Sequence, residues 1–249
     1  MSEWDQRIDH NVDASQVLWR AAGAALGADN DPISSGASNN WIPVPSVELR
    51  EASSVADMGI WYAIGEAWSQ IALAASTQPN PRILDIGCGV GKMARFFAMT
   101  PGIEYLGIDV FAPAIQWCQK AFDPLPQFRF VHFDIHSPLY NASGVLDVAT
   151  TPVPTDETFD LIICASLFTH LYEAAFVHYL AELSRLLSRD GRAIVSIHNE
   201  PDNGRLSGQE TRIDISDAYF VELIASAKLR IERRVGPVFG QELYVLGLA

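Results

Sequence analysis

The chain has 249 residues, 49% hydrophobic and 19% charged, enough apolar side chains to bury a core for one large domain or one domain with a small appendage. Thirty acidic residues against 17 basic ones leave a net charge of −13, which repels phosphate backbones and anionic lipid and argues against nucleic acid or a membrane surface as the main partner. Met1–Arg7 carries acid and no apolar run, and the longest apolar stretches are about eight residues against the ~20 of a bilayer span, so neither a secretory leader nor a membrane helix is expected.

Three cysteines, Cys88, Cys118 and Cys164, form no CxxC pair, so a disulfide framework and a zinc knuckle are both unexpected. A reduced cytoplasmic location is the expectation, and Asn141-Ala-Ser143 is a sequon without consequence there.

The chain divides near residue 80. Residues 1–80 hold ten acidic and three basic side chains and five of the six tryptophans: Trp4, Trp19, Trp41, Trp61 and Trp68. A Gly/Asn/Ser/Pro-rich stretch from Ala28 to Pro45 reads as irregular loop. Apolar residues thicken from Val55 to Ala75 with helical spacing. This part is expected to be an N-terminal appendage of loop and helices, serving as lid and acceptor side, with 81–249 the main domain.

After Pro81 short strands and helices alternate. Strands are predicted at 82–86, 104–109, 128–134, 159–168 and 191–197. Helices are predicted over KMARFFAM after the first strand, over 112–122, and over Glu173–Ser188, where Phe176, Leu180, Leu183 and Leu187 share a face. Gly191 reads as the stop of that last helix. The segment 135–158, with Pro138, Pro152 and Pro154, reads as loop. Ser216 or Asp217 caps a helix to about Ala227, and 229–235 and 242–248 close the chain as two strands. Such alternation implies an α/β fold: a doubly wound, mostly parallel sheet of seven strands with helices on both faces. Ligands in such sheets bind at the carboxyl ends of the strands, at the switch point.

The strongest local signal is Asp85-Ile-Gly87-Cys88-Gly89-Val90-Gly91-Lys92, which follows a strand and opens a helix. Glycines there allow a tight turn and close approach to a ligand. A Walker loop fails twice, because Ile86 stands where its first glycine belongs and Met93 follows the lysine. A GxGxxG dinucleotide fingerprint fails at Lys92. The spacing present is acid-x-GxGxG.

This spacing resembles the first motif of class I S-adenosylmethionine-dependent methyltransferases, and the resemblance runs in order over roughly 55–249. Asp109 in YLGIDV matches the family's acid at the end of the second strand, which holds the ribose hydroxyls. Asp134 in VHFDI matches the position facing the adenine amine, SLFTHL (166–171) the acceptor-side segment after the fourth strand, and SRDGR (188–192) the turn before the fifth. YNASG (140–144), SLFTHL and IQWC (115–118) are similar to a bacterial subgroup of these enzymes. The resemblance implies S-adenosyl-L-methionine as cofactor, with S-adenosyl-L-homocysteine as product. It implies cofactor contacts from Asp85, Gly87, Cys88, Gly89, Asp109, Val110, Asp134, Ile135 and Ser166.

A carboxylate accepts two hydrogen bonds from a vicinal diol, which independently suits an acid beside the glycine loop. Each acid also has a structural alternative: Asp109 as a helix cap, Asp134 as a loop acid, Asp85 as a turn residue bonding loop amides. Cys88 and Cys164 read as buried thiols.

Methyl transfer from a sulfonium needs alignment and desolvation, and a base only where the acceptor proton must leave early, as with a hydroxyl. His170, just after the fourth strand, is the catalytic candidate, with packing or helix capping as its alternative. Tyr172 and His198 are weaker candidates on the same rim, His132 and His136 read as structural, and Arg50 is a distant candidate for reaching a carboxylate in the site. No Asn/Asp-Pro-Pro-Tyr/Phe stands after the fourth strand, which argues against base-amine and glutamine-amide acceptors. No metal-ligand spacing is present.

The expected activity is methyl transfer to a small-molecule acceptor, most simply at oxygen. The competing readings are an S-adenosylmethionine-binding protein of regulatory or non-methylating role, such as an aminopropyl transferase, and, further off, a nicotinamide-dependent oxidoreductase or a nucleic-acid methyltransferase.

Overall fold

A computed structural model describes residues 42–53, 55–200 and 204–249. The loop expected up to residue 41 and the tryptophans at 4, 19 and 41 lie outside the described residues. Two helices come first, α1 (Val47–Ser53) and α2 (Met58–Ala75). α2 begins at Asp57, whose side chain accepts from the Ile60 amide at 2.8 Å and satisfies one of the free donors of a helix start. Then follow β1 (Arg82–Ile86), α3 (Ala94–Phe97), β2 (Glu104–Asp109), α4 (Ala112–Ala121), β3 (Phe128–His132) and β4 (Phe159–Cys164). A 3₁₀ turn at Phe168–His170 leads into α5 (Glu173–Leu186), β5 (Leu187–Asn199), β6 (Leu206–Gln209), β7 (Arg212–Ile215), α6 (Asp217–Ser226), β8 (Leu229–Val238) and β9 (Gln241–Leu248).

The strands form one sheet. β3, β2, β1, β4 and β5 run parallel in that order, and β9 then β8 continue it antiparallel beyond β5. That is the expected doubly wound frame of seven strands. The chain adds a two-strand hairpin, β6 and β7, whose β7 pairs with the last residues of β5 through His198–Asp214 and Asn199–Ile215. The hairpin was not anticipated: four-residue strands, one containing Gly208, present too short an alternation to stand out.

Alternation along the strands divides the core between the two faces. Leu84, Ile162, Cys164, Ala193 and Val195 face α5 and α6, through Phe176, Leu180, Leu183 and Phe220. Ile83, Leu161, Ile163 and Ile194 face α2, α3 and α4, through Trp68, Ala72, Phe97, Ile115 and Cys118. Residues of the N-terminal part, Ile42, Trp68 and Ala72, are thus built into one of the two main clusters. Arg95, only 7% exposed, ties this part down: its guanidinium donates to the carbonyls of Ile42 (3.1 Å) and Pro43 (2.6 Å) and lies over the rings of Trp61 and Tyr62.

Two local expectations are corrected. The helix after the glycine loop is a single turn, Ala94–Phe97, because the loop residues Gly91–Met93 remain in turn conformation. Gly191 does not stop α5, which ends at Leu186; it lies inside β5, where an added Cβ would stand 2.7 Å from the Phe159 carbonyl oxygen. The register between β4 and β5 shifts at this point, so glycine serves a close approach of backbones.

Candidate active site

The strand order reverses between β1 and β4, and there, at the carboxyl ends of β1, β2 and β4, a cavity of about 750 Å³ opens. Its size lies within the ~300–1,000 Å³ of small-molecule sites. It is lined at one end by the glycine loop and the end of β2, at the other by the 3₁₀ turn, the 135–140 segment and the β6–β7 tip, and along one side by α2 through Trp61, Ile64 and Trp68.

The glycine loop turns because Gly87, Gly89 and Gly91 adopt positive φ (86°, 53° and 66°). The amides of Gly87 and Cys88 donate to the Ile108 carbonyl at 2.8 and 3.1 Å, which docks the loop on the end of β2. Asp109 closes it: Oδ2 accepts from the Gly89 amide at 2.7 Å and Oδ1 from the Phe111 amide at 2.8 Å. Burial pushes the Asp109 carboxyl up, while these amide bonds pull it down. Each carboxylate oxygen has a second lone pair, so both still accept a bond from a diol.

Beneath the loop lies a second carboxylate. Asp85 is fully buried, its Oδ2 accepts from the Tyr105 hydroxyl at 2.6 Å, and its Oδ1 has no partner. Burial pushes it up to about 7, with the Asp109 charge adding to the rise and the Tyr105 bond opposing it. Burial also draws Lys92 down to about 8, against the pull of Asp85. Asp85 is not among the residues that line the cavity, and its hydrogen bond is with Tyr105 on β2. Cys88 and Val110 do line it. All three cysteines are buried free thiols, and Cys88 and Cys118 both direct Sγ at the Gly89 carbonyl.

On the adenine side of the expectation, Ile135 lines the cavity and Asp134 does not. Asp134 is occupied in shaping the following loop: Oδ1 accepts from Asn141 Nδ2 at 3.0 Å, and its carbonyl accepts from the amides of Val145 and Leu146. His132 bonds the Val110 carbonyl through Nε2 at 3.0 Å and stays off the cavity, whereas His136 lines it.

Ser166, past the end of β4, lines the cavity in a left-handed conformation (φ 58°) that non-glycine residues avoid. A polar knot holds it there. Its amide donates to Ser196 Oγ at 2.8 Å, Ser196 Oγ donates to Gln241 Oε1 at 2.7 Å, and Gln241 Nε2 donates to Ser166 Oγ at 2.9 Å. Backbone strain held by surrounding bonds marks functional positions.

His170 lines the cavity in the 3₁₀ turn. Its Nδ1 lies 2.7 Å from the Glu210 carbonyl oxygen at the β6–β7 tip. A carbonyl only accepts, so Nδ1 carries the proton and Nε2 of the neutral ring keeps its lone pair. The tip is pinned in turn by Ser137 Oγ, which donates to Glu210 Oε1 at 2.8 Å, and the Tyr140 ring meets the imidazole edge-on. His198 lines the cavity nearby with a buried, unpartnered Nδ1; burial and then the Arg212 charge hold it below the usual imidazole range. Tyr172 lines the mouth and is exposed. Arg50 is corrected to a latch, its guanidinium donating to the carbonyls of Pro45 (2.7 Å) and Ala56 (2.8 and 3.0 Å).

Sequence reasoning did not single out Ser137, Glu210 and Gln241, and it noted Tyr140 only as part of YNASG. Each sits far along the chain from its partner, 73 residues for Ser137 and Glu210 and 75 for Ser166 and Gln241. Among the described residues no group of three or more His, Cys, Asp or Glu side chains could hold a metal, and no helix is long and apolar enough to cross a membrane.

Comparison with known proteins agrees with this frame. A methyltransferase from Corynebacterium glutamicum, described as TehB-like and S-adenosylmethionine-dependent, superposes with a TM-score of 0.53 at 22% identity over 80% of this chain and 92% of that one. The 1,6-didemethyltoxoflavin-N1-methyltransferase of Burkholderia thailandensis, with S-adenosylhomocysteine and its acceptor bound, gives 0.54 at 22% identity over 83% and 91%. A glycopeptide N-methyltransferase complexed with sinefungin gives 0.55 at 11% identity over 74% and 94%. At these identities the likeness is one of fold. Residues 84–193, from β1 into β5, match the family described as a methyltransferase domain, so the chain carries a methyltransferase domain on the class I fold.

Proposed function

We propose that the protein transfers a methyl group from S-adenosylmethionine to a small-molecule acceptor, at oxygen, with His170 as general base. The observation that carries the reading is one cavity holding the Asp109-buttressed glycine loop at one end and an imidazole of settled tautomer at the other. The donor set fits the cofactor. Asp109 offers free lone pairs at the end of β2, and above Gly87 an added Cβ would meet nothing nearer than Leu167 Cδ1 at 3.9 Å, which leaves the loop backbone open to a ligand.

When bound, the cofactor supplies an electrophilic methyl on a sulfonium. Gly87, Cys88, Gly89, Asp109, Val110 and Ile135 would hold it, and Ser166 would face its reacting end. Asp85, at the start of the loop, is held by Tyr105, and Asp134 shapes the 135–146 segment. His170 takes the acceptor proton on Nε2, and the Glu210 carbonyl stabilises the imidazolium through Nδ1. α2, through Trp61, Ile64 and Trp68, and the 135–158 segment form the acceptor side.

The test is to supply S-adenosylmethionine with a series of hydroxylated compounds and measure S-adenosylhomocysteine release. Product with wild type, and its loss in His170→Ala with cofactor affinity kept, is the expected outcome. A nitrogen acceptor is the second reading, suggested by the N-methyltransferases among the structural neighbours. It needs no base, so full turnover by His170→Ala would favour it. Tight S-adenosylhomocysteine binding with no product from any acceptor would favour a regulatory role.

A further inference from the structure

β8 and β9 are joined by a two-residue turn, Phe239-Gly240, closed by the Val238–Gln241 pair. Both central residues have positive φ, 46° at Phe239 and 81° at Gly240. Tight hairpins of this kind place Asn, Asp or Gly at the first position, and a bulky side chain there is an outlier. Turn chemistry therefore does not account for phenylalanine. The side chain is half-buried, lines the cavity, and packs against the cluster that contains Trp68. The turn has no slack, because the next residue, Gln241, is knotted to Ser166 and Ser196. His198 and His170 line the same cavity as Phe239. Phe239 thus shares the cavity with the candidate base and stands two residues before Gln241, which bonds Ser166 past the end of β4. Ile64, Trp68 and Met93 share the lining with it. Among the described lining residues Lys92, on the glycine-loop side, is the one Lys or Arg, while Glu210 places a carboxylate at the opposite end.

We infer that Phe239 is a specificity-determining residue of the acceptor site: its fixed ring and the apolar wall beside it select a planar, uncharged, hydroxyl-bearing ring system over carboxylated or non-aromatic acceptors. This rests on the function proposed above. The acceptor ring lies against Phe239, its hydroxyl toward His170, and a carboxylate on it would be desolvated with no Lys or Arg among the described residues that line the cavity beside Phe239.

The test uses the full chain loaded with S-adenosylhomocysteine, and 7-hydroxycoumarin as a fluorescent probe. Titration with S-adenosylhomocysteine alone comes first; absence of binding would sink the proposed function and this inference with it. Wild type that takes S-adenosylhomocysteine and fails to bind 7-hydroxycoumarin overturns this inference alone. The expected result is that wild type binds 7-hydroxycoumarin about tenfold more tightly than 7-hydroxycoumarin-3-carboxylate, and that Phe239→Asn loses about tenfold for the neutral probe. Asparagine suits the turn, so melting temperature and S-adenosylhomocysteine affinity hold in that variant, and Phe239→Tyr keeps probe binding. Unchanged probe affinity in Phe239→Asn, equal affinity for the two probes, or a probe loss that follows a fall in melting temperature would each overturn it.

Discussion

The two ends of the cavity are built by different means. The glycine-loop end is made of contiguous backbone: three positive-φ glycines, a docking pair of amides on Ile108, and one carboxylate, Asp109, that clamps the loop to the next turn. The His170 end is assembled from side chains of segments far apart in sequence: Ser137, His170, Glu210 and, through the Ser166 knot, Ser196 and Gln241. The first end suits a constant ligand, since its shape follows from backbone geometry. At the second end, Ser137, His170 and Glu210 lie outside the strands of the sheet, so each can be altered without changing a strand.

That contrast predicts that variants at the two ends move different observables. The largest effect is expected from His170→Ala, which lowers turnover about 10²–10⁴-fold, the usual contribution of a positioned base. S-adenosylhomocysteine affinity in that variant stays within about twofold. Parallel loss of both in steady-state and calorimetric measurements would erase the distinction between the ends.

Asp109→Ala comes next. It removes a charged acceptor from two loop amides and from the proposed diol contact, charge-assisted bonds of about 1.5–3 kcal/mol each, so affinity for S-adenosylhomocysteine falls about 100-fold. Circular dichroism keeps the folded signature. Wild-type affinity by calorimetry would remove Asp109 from the cofactor role.

Ser137→Ala tests the side-chain-built end more gently. Loss of one bond to the Glu210 carboxylate is worth about 1 kcal/mol, so turnover falls about fivefold as the hairpin tip loosens. Cofactor affinity is unmoved, and a change confined to it would reverse the assignment of Ser137.

At Asp85 the expected effect is on stability rather than on turnover. In the unfolded chain Asp85 titrates near ~3.9, and in the folded protein burial holds it at about 7. Between those values the folded state keeps a proton that the unfolded state has released. This group's stabilisation is therefore full below pH ~4 and is lost as pH rises toward 7. Asp85→Asn should flatten the fall in melting temperature between pH 5 and 7, by about 2–4 °C for each kcal/mol removed. Lys92, lowered to about 8, acts in the opposite sense above pH 8: there the unfolded state holds the extra proton, and stability from this group rises with pH. An unchanged melting slope in Asp85→Asn would place the pH response elsewhere.

The sheet was legible in the sequence because each of its parallel strands is a short apolar run bounded by turn residues, and the predicted strands fall on the observed ones within a few residues. The glycine loop and Asp109 were legible for a related reason: positive φ at a strand-to-helix turn restricts the residue type, so the constraint is written locally. Asp85 and Asp134 were found by position, but their partners, the Tyr105 hydroxyl and the Asn141 amide, depend on packing.

The His170 end was not legible in the same way. His170 stood out as an imidazole after β4, but its tautomer is set by the Glu210 carbonyl, 40 residues on. The β6–β7 hairpin that brings this carbonyl in is two four-residue strands, below the length at which periodicity separates strand from loop. By itself the sequence determined the order of elements, the two faces of the core and the glycine loop, because these follow from local spacing and backbone restriction. The tertiary structure alone decided which carboxylates reach the cavity, which way the His170 proton points and why a phenylalanine sits in a tight turn, because each depends on contacts between residues the chain keeps far apart.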